Sequence, residues 1–331
     1  MAWKTRKHER GAALVTVLMI VAAMSAVAVG ISQSVRSSVD RTRLLDGQAQ
    51  LRLYIAAGEE VVKSQLTAIM LETEGRLSSD LPGLSQPQVF PVEGGSVTLN
   101  VRDMTNCYDL NGKRVTTNEE ETTRRRDTID PFQTFLEDFE FDRGLAQTLS
   151  ASLRDWSDAD SISRLGGAED AYYTGLTPAY RTSSQPLESV SEARAIQGFT
   201  QDVVQQLEGL VCVLPQNTLQ PSPPLNINTL TERSAPRLIE AFSGALEPQQ
   251  ARSLILARPT GGWPDVEVFL QEAAVNQISP DLRRLERLGV VSSLVETTAD
   301  VAYRGQSMRV KFLIEMPPGQ PVRVLRRERV E

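Results

Sequence analysis

Four carboxylates in the middle of this 331-residue chain are the groups best placed to do chemistry. Asp158 and Asp160 stand in Asp155-Trp156-Ser157-Asp158-Ala159-Asp160, and Glu169 and Asp170 follow a glycine turn in Gly166-Gly167-Ala168-Glu169-Asp170-Ala171-Tyr172-Tyr173. Brought together by the intervening loop, they offer hard oxygen ligands of the sort Ca²⁺ takes at about 2.3 to 2.6 Å. The spacing is not that of an EF-hand, since Ile162 and Ser163 stand where a third ligand and the obligatory glycine would be. Residue chemistry alone leaves two readings open, a calcium site and a set of solvated carboxylates and helix caps.

Other chemistry is narrowed by what the chain lacks. Its sole histidine is His8, so everything beyond that position is without an imidazole for a nucleophile pair, a His-ligated zinc or a general base. A membrane-anchored periplasmic enzyme working through carboxylates survives as an alternative, but no substrate-site motif accompanies the acids, and a non-enzyme is expected. The formal net charge is −7, and cutting after Gly11 would remove four basic residues and Glu9, taking it to −10. So acidic a balance argues against nucleic acid as a partner. Cys107 and Cys212 form a disulfide in an oxidising compartment or remain two buried thiols. A bond closing roughly 100 residues would contribute about 4 to 5 kcal/mol in the chain-entropy model.

The elements that must carry these groups begin with a basic leader, Lys4, Arg6, Lys7 and Arg10, followed by Gly11 and an apolar run from Ala12 to Ile31. As a helix the run is roughly 30 Å long, about the hydrocarbon thickness of a bilayer. Positive charge on its leading flank keeps that flank cytoplasmic and sends the remainder across the membrane, so that the C-terminal part of this single-pass chain lies outside the cytoplasm. A secretory signal peptide cut near Ala26-Val27-Ala28 and a plain anchor are competing readings, although the run is longer than an ordinary signal peptide's. Beyond it, Leu44, Leu51, Ile55, Val62, Leu66 and Ile69 recur at mostly three, four or seven residues. One helix from Ala12 to about Leu71 is expected, apolar in its first half and amphipathic in its second.

Strand alternation follows at Gly95–Arg102, with Val97, Leu99 and Val101 facing the helix. A charged stretch from Asn118 to Asp130 opens an insert in which Leu145, Leu149, Leu153 and Trp156 make a core-facing helical stripe. A second helical unit starts near Leu225, where Thr229 and Glu232 have the spacing of a capping box. Strand character returns after Val290, with turns at Gly305 and Pro317-Pro318-Gly319. The fold class expected is α+β: a long N-terminal helix on a small antiparallel sheet, with a large inserted all-α domain.

The order Arg10-Gly11-Ala12-Ala13-Leu14-Val15-Thr16 resembles the class III leader of type IV pilins and type II secretion pseudopilins. That resemblance implies cleavage after Gly11 by a prepilin peptidase and N-methylation of Ala12. Most such proteins carry glutamate at the fifth mature position, and here that position is Thr16. A threonine there resembles the general secretion pathway protein K family, minor pseudopilins of the type II secretion system. The Asp155–Asp160 and Gly167–Tyr173 stretches, Pro178-Ala179-Tyr180, and Glu192-Ala193-Arg194 before Gly198 resemble that family's series in order. The resemblance implies a tip subunit of the periplasmic pseudopilus, involved in protein secretion across the outer membrane. Its implied partners are other minor pseudopilins and the inner-membrane secretion platform, and its implied cofactor is Ca²⁺ held by Asp158, Asp160, Glu169 and Asp170. The implied organisation is leader 1–11, membrane or fibre-core helix 12–31, pilin-like helix and first strands 32–112, helical insert 113–289 and closing strands 290–331. The unit at about 225–289 also resembles sterile-alpha-motif-like and helix-hairpin-helix units, some of which bind DNA. Phe242-Ser243-Gly244-Ala245-Leu246-Glu247-Pro248 lacks the Gly-hydrophobic-Gly hairpin that holds phosphate, and adds an acid.

Overall fold

No proline interrupts the chain before Pro82, and the computed structural model carries one 65-residue helix, α1 (Glu9–Thr73), through most of that length. At about 1.5 Å per residue it is roughly 100 Å long. The structure describes residues 9–81, 83–84, 86–112, 130–215 and 224–330. Lys4, Arg6, Lys7, His8 and the charged runs Glu119–Glu121 and Arg124–Arg126 lie outside the described residues. Every large apolar side chain described from Leu14 to Ile31 is more than half exposed, and this helix is long and apolar enough to cross a membrane. Packing begins later than the periodicity suggests: Leu44 is exposed, whereas Leu51, Ile55, Val62 and Leu66 are buried and Ile69 is half-buried.

These four buried residues press against one face of a five-stranded antiparallel sheet, ordered β1 (Gln88–Val92), β2 (Gly95–Asp103), β7 (Leu294–Tyr303), β8 (Gln306–Glu315) and β9 (Arg323–Val330). Val97, Leu99 and Val101 face the helix together with Val295, Val301, Phe312 and Ile314. Gly58 permits the close approach, because a Cβ there would come within 3.2 Å of a Leu99 methyl. Strands β2 and β7 pair in register from Gly95↔Tyr303 to Asp103↔Val295, so the insert returns the chain beside the strand it left. Strand β1 carries Pro91, which its place at the edge of the sheet tolerates.

The insert comprises two helical units with separate cores. The first contains α2 (Pro131–Asp138), α3 (Arg143–Ser157) and α4 (Asp170–Tyr173), and buries Phe132, Phe135, Leu149, Leu153, Trp156 and Tyr173. The second buries Leu238, Phe242, Leu246, Trp263 and Phe269. Neither is purely helical. The first is closed by a two-residue parallel pair, β3 (Tyr108–Asp109) with β4 (Val211–Cys212), and the second by β5 (Leu225–Asn226) with β6 (Leu288–Gly289). Cys107 and Cys212 are bonded beside the first pair, their Cα atoms 5.8 Å apart. The capping box sits two residues beyond the expected one, on Thr231 and Ser234. The Thr229 hydroxyl instead donates to Asp103 Oδ2 at 2.5 Å and accepts from the Asn106 side-chain amide at 2.9 Å, so its oxygen serves a side chain rather than a helix N–H.

Candidate functional site

Helix α3 starts at Asp142, whose carboxylate accepts from the N–H groups of Gly144 and Leu145, and ends at Asp158. Carboxylates therefore crowd the helix C-terminus, where the backbone dipole already presents negative charge. Asp155, fully buried one turn back, accepts from the Arg164 backbone N–H at 3.0 Å and from its Nη1 at 2.6 Å. The same guanidinium also meets Asp158. Gly167 makes this fold possible, because a Cβ there would lie 2.1 Å from Asp155 Oδ2. Asp160 turns the loop by accepting from the Ile162 N–H at 2.8 Å. The chain then brings Glu169 back at the start of α4.

Asp158, Asp160 and Glu169 each offer one carboxylate oxygen, and these atoms lie within 4.8 Å of one another. That span is about twice a calcium–oxygen distance, so one ion can reach all three. Glu169 is 6% exposed, and its Oε1 has no hydrogen-bond partner among the described residues. Burial, followed by the charges of Asp155, Asp158 and Asp160, raises its pKa above the ordinary value. A buried acceptor facing like charges is stabilised either by holding its proton or by a cation. Arg164 supplies one positive charge against four acids, Asp155, Asp158, Asp160 and Glu169, and a divalent cation would offset two of the three negative charges left. The donor set is all oxygen, as a hard ion requires.

The fourth expected ligand goes elsewhere. Asp170 accepts from the Thr182 N–H at 2.9 Å, the Thr182 hydroxyl at 3.0 Å and Arg181 Nη1 at 2.8 Å. Those contacts, the Thr182 backbone bond first, hold its carboxyl below the usual range. Its role in this structure is to tie down the Thr182 segment. Asp155 and Arg164 are the residues that spacing missed. The available clue was Gly167, an obligate small residue facing an acid.

The other sequence motifs converge on the same unit. The Trp156 indole N–H donates to Glu192 Oε1 at 3.1 Å, its ring meets Tyr173 edge-on at 5.2 Å, and the Tyr180 hydroxyl donates to the Ala195 carbonyl. Trp156 and Tyr173 belong to the buried core of the first helical unit. Thr16 lies in the apolar half of α1, five residues beyond Gly11.

A long helix with a free apolar half, its other half laid on an antiparallel sheet, defines a pilin-like subunit, here enlarged by two helical units. A family model described as "Type II secretion system (T2SS), protein K" matches residues 99–216, and a second with the same description matches 225–290. The chain belongs to the type II secretion system protein K family. It is 30% identical to the type II secretion system protein K of Pectobacterium carotovorum subsp. carotovorum over 98% of this chain and 97% of that one. It is 31% identical to a putative type II secretion system protein K of Escherichia coli K12, covering 80% and 79% respectively. The fold is similar to one in a crystal structure of the GspK-GspI-GspJ complex from enterotoxigenic E. coli. There the TM-score is 0.69 at 26% identity, covering 88% of this chain and 99% of that one.

Proposed function

We propose that this protein is a structural, non-catalytic minor pseudopilin at the tip of the periplasmic pseudopilus of a type II secretion system, where it serves secretion across the outer membrane. Thr16 carries this reading. A carboxylate at that place in the apolar half would need a cationic partner from a neighbouring subunit, since a buried charge is costly unless paired. Threonine makes no such demand and suits a subunit with nothing above it.

The apolar half of α1 anchors the chain in the inner membrane, with the leader cytoplasmic and the head periplasmic. A prepilin peptidase cuts after Gly11 and methylates Ala12, and the inner-membrane platform drives assembly. The E. coli relative is seen in complex with GspI and GspJ, and this chain assembles with the corresponding pair of minor pseudopilins. Ca²⁺ bound by Asp158, Asp160 and Glu169 neutralises the end of α3 and ties it to the start of α4. Mass spectrometry of the mature chain, isolated with its two partners, tests the proposal. A methylated Ala12 terminus in a three-protein complex is expected; an intact leader, or a chain that isolates alone, contradicts it.

A further inference from the structure

The two helical units share no core residue among the described residues, and the first is joined to the rest of the head at few buried places. Its tie to the sheet is the Cys107–Cys212 crossing, where Cys212 packs with Met104 just past β2, Leu294 of β7 and Leu313 of β8. Cavities flank this crossing. One of about 260 Å³ is lined by Cys212 together with Val190, Val204 and Lys311, and one of about 140 Å³ by Cys107 together with Phe139 and Arg237. The first unit therefore meets its neighbours across gaps on both sides of the disulfide. Modules joined in this way move relative to one another by default, since only a large hydrophobic interface holds them rigid.

Elsewhere the unit is held by arginines from outside it. Arg233 of the second unit donates from Nη1 to the Glu208 carbonyl at 2.9 Å and also reaches the Gln206 carbonyl, so it caps the last turn of the helix Gln201–Leu207. Arg237, four residues on, sets its guanidinium carbon 6.0 Å from the centres of both the Tyr108 and the Phe135 rings, within reach of a cation–π contact. From the sheet, Arg326 of β9 donates to the Glu188 carbonyl at 2.5 Å. All three grip backbone carbonyls or ring faces, and each such contact is individually weak.

We propose that the first helical unit is a hinged arm: it turns about the Cys107–Cys212 crossing and is latched in the observed position by Arg233, Arg237 and Arg326. The disulfide suits a pivot, because it fixes one point of contact covalently and leaves rotation to the weak contacts around it. The acidic cluster of Asp158, Asp160 and Glu169 rides on this arm. Opening the latch re-aims that cluster relative to the sheet and α1 without unfolding either unit.

The test uses the full-length chain in detergent with its disulfide intact. A keto-bearing non-natural amino acid carrying a spin label replaces Leu165 on the arm and Leu256 on the second unit, both strongly exposed, and pulsed electron paramagnetic resonance reads the distance between them. One dominant distance is expected for the parent. Arg233→Ala with Arg237→Ala should raise the fraction of molecules at other distances at least about fivefold, the effect of losing one hydrogen bond of ordinary net strength. Adding Arg326→Ala should raise it further. Arg252→Ala, which removes an exposed arginine from the helix Pro248–Leu256, is the charge control and should leave the distribution unchanged. Superimposable distributions in the parent and the latch variants overturn the hinge. An equal change in Arg252→Ala assigns the effect to net charge and removes the latch. A new distance that comes with loss of near-ultraviolet circular dichroism reports unfolding of the arm's aromatic core in place of rotation, and overturns the proposal as well.

Discussion

Arg327, on the last strand, meets Glu59, midway along α1, through two hydrogen bonds of 2.7 Å, one from Nε and one from Nη2, across 268 residues of sequence. The Glu59 side chain is 9% exposed and that of Arg327 is 59% exposed, so the pair closes the outer edge of the sheet onto the helix. Bidentate geometry gives it direction as well as charge. It locks the final strand to the element that carries the head.

Arg327→Ala leaves a buried carboxylate without this partner and should destabilise by about 1 to 3 kcal/mol, the exposure of the arginine limiting the loss. Glu59→Gln retains a hydrogen-bonding group and should cost less. Urea unfolding of the two variants measures the difference; equal costs would show that the pair acts by packing alone.

Asn226 joins the sheet to the second helical unit. Its Nδ2 group lies within hydrogen-bonding distance of the Ser292 hydroxyl at 2.7 Å and of the Leu77 carbonyl and Asp103 Oδ2 at 3.2 Å each, while its Oδ1 accepts from the Asn228 N–H. Asn226→Ala strips a fully buried hub and should cost about 2 to 3 kcal/mol. Trp156 and Trp263 report on the two helical units, so the variant should separate their unfolding transitions. A single unshifted transition would remove the hub role.

Asp109 gives the acid limb a defined sign. Burial raises its carboxyl above the ordinary 3.8, opposed only in part by the Leu214 and Asn111 N–H groups. The folded state therefore holds this proton more tightly than the unfolded state does. The stability it contributes is full below 3.8 and is lost as pH rises through the folded pKa. Asp109→Asn keeps the Oδ1 acceptor without the charge, and should be more stable than the parent at pH 7 and indistinguishable at pH 3. Melts at the two values decide it, and an advantage independent of pH would exclude the titration.

Chelation should lower the melting temperature of the detergent-solubilised full chain by roughly 5 °C, the effect expected of an ion present at about a hundred times its dissociation constant. Glu169→Gln should abolish the difference between calcium and chelator. Asp170→Asn should preserve it, because that carboxylate is engaged by Thr182 and Arg181. A difference that survives Glu169→Gln would place the ion elsewhere.

Much of this architecture is legible in linear pattern, because helix and strand periods repeat locally. Leu51, Ile55, Val62 and Leu66 announce one face of the helix, and Val97, Leu99 and Val101 one face of a strand. Leu44 fits the same period and stays exposed, since periodicity does not reveal where the sheet begins to cover the helix. The acidic cluster is half legible. Spacing gathers Asp158, Asp160 and Glu169 but cannot tell that Asp170, adjacent to Glu169, turns to a segment 12 residues on. Nor does it show that Thr229 bonds Asp103 and Asn106, each more than 120 residues away, while the capping box falls to Thr231 and Ser234. Those outcomes belong to long-range competition for hydrogen bonds, which local sequence does not encode.

Position in the assembled filament is the most direct test of the account. Electron microscopy of pseudopili carrying a label on the second helical unit should place one copy at one end, distal to the membrane. Labels repeating along the shaft would show that a chain with Thr16 can be stacked beneath its own kind, and the tip assignment would fall.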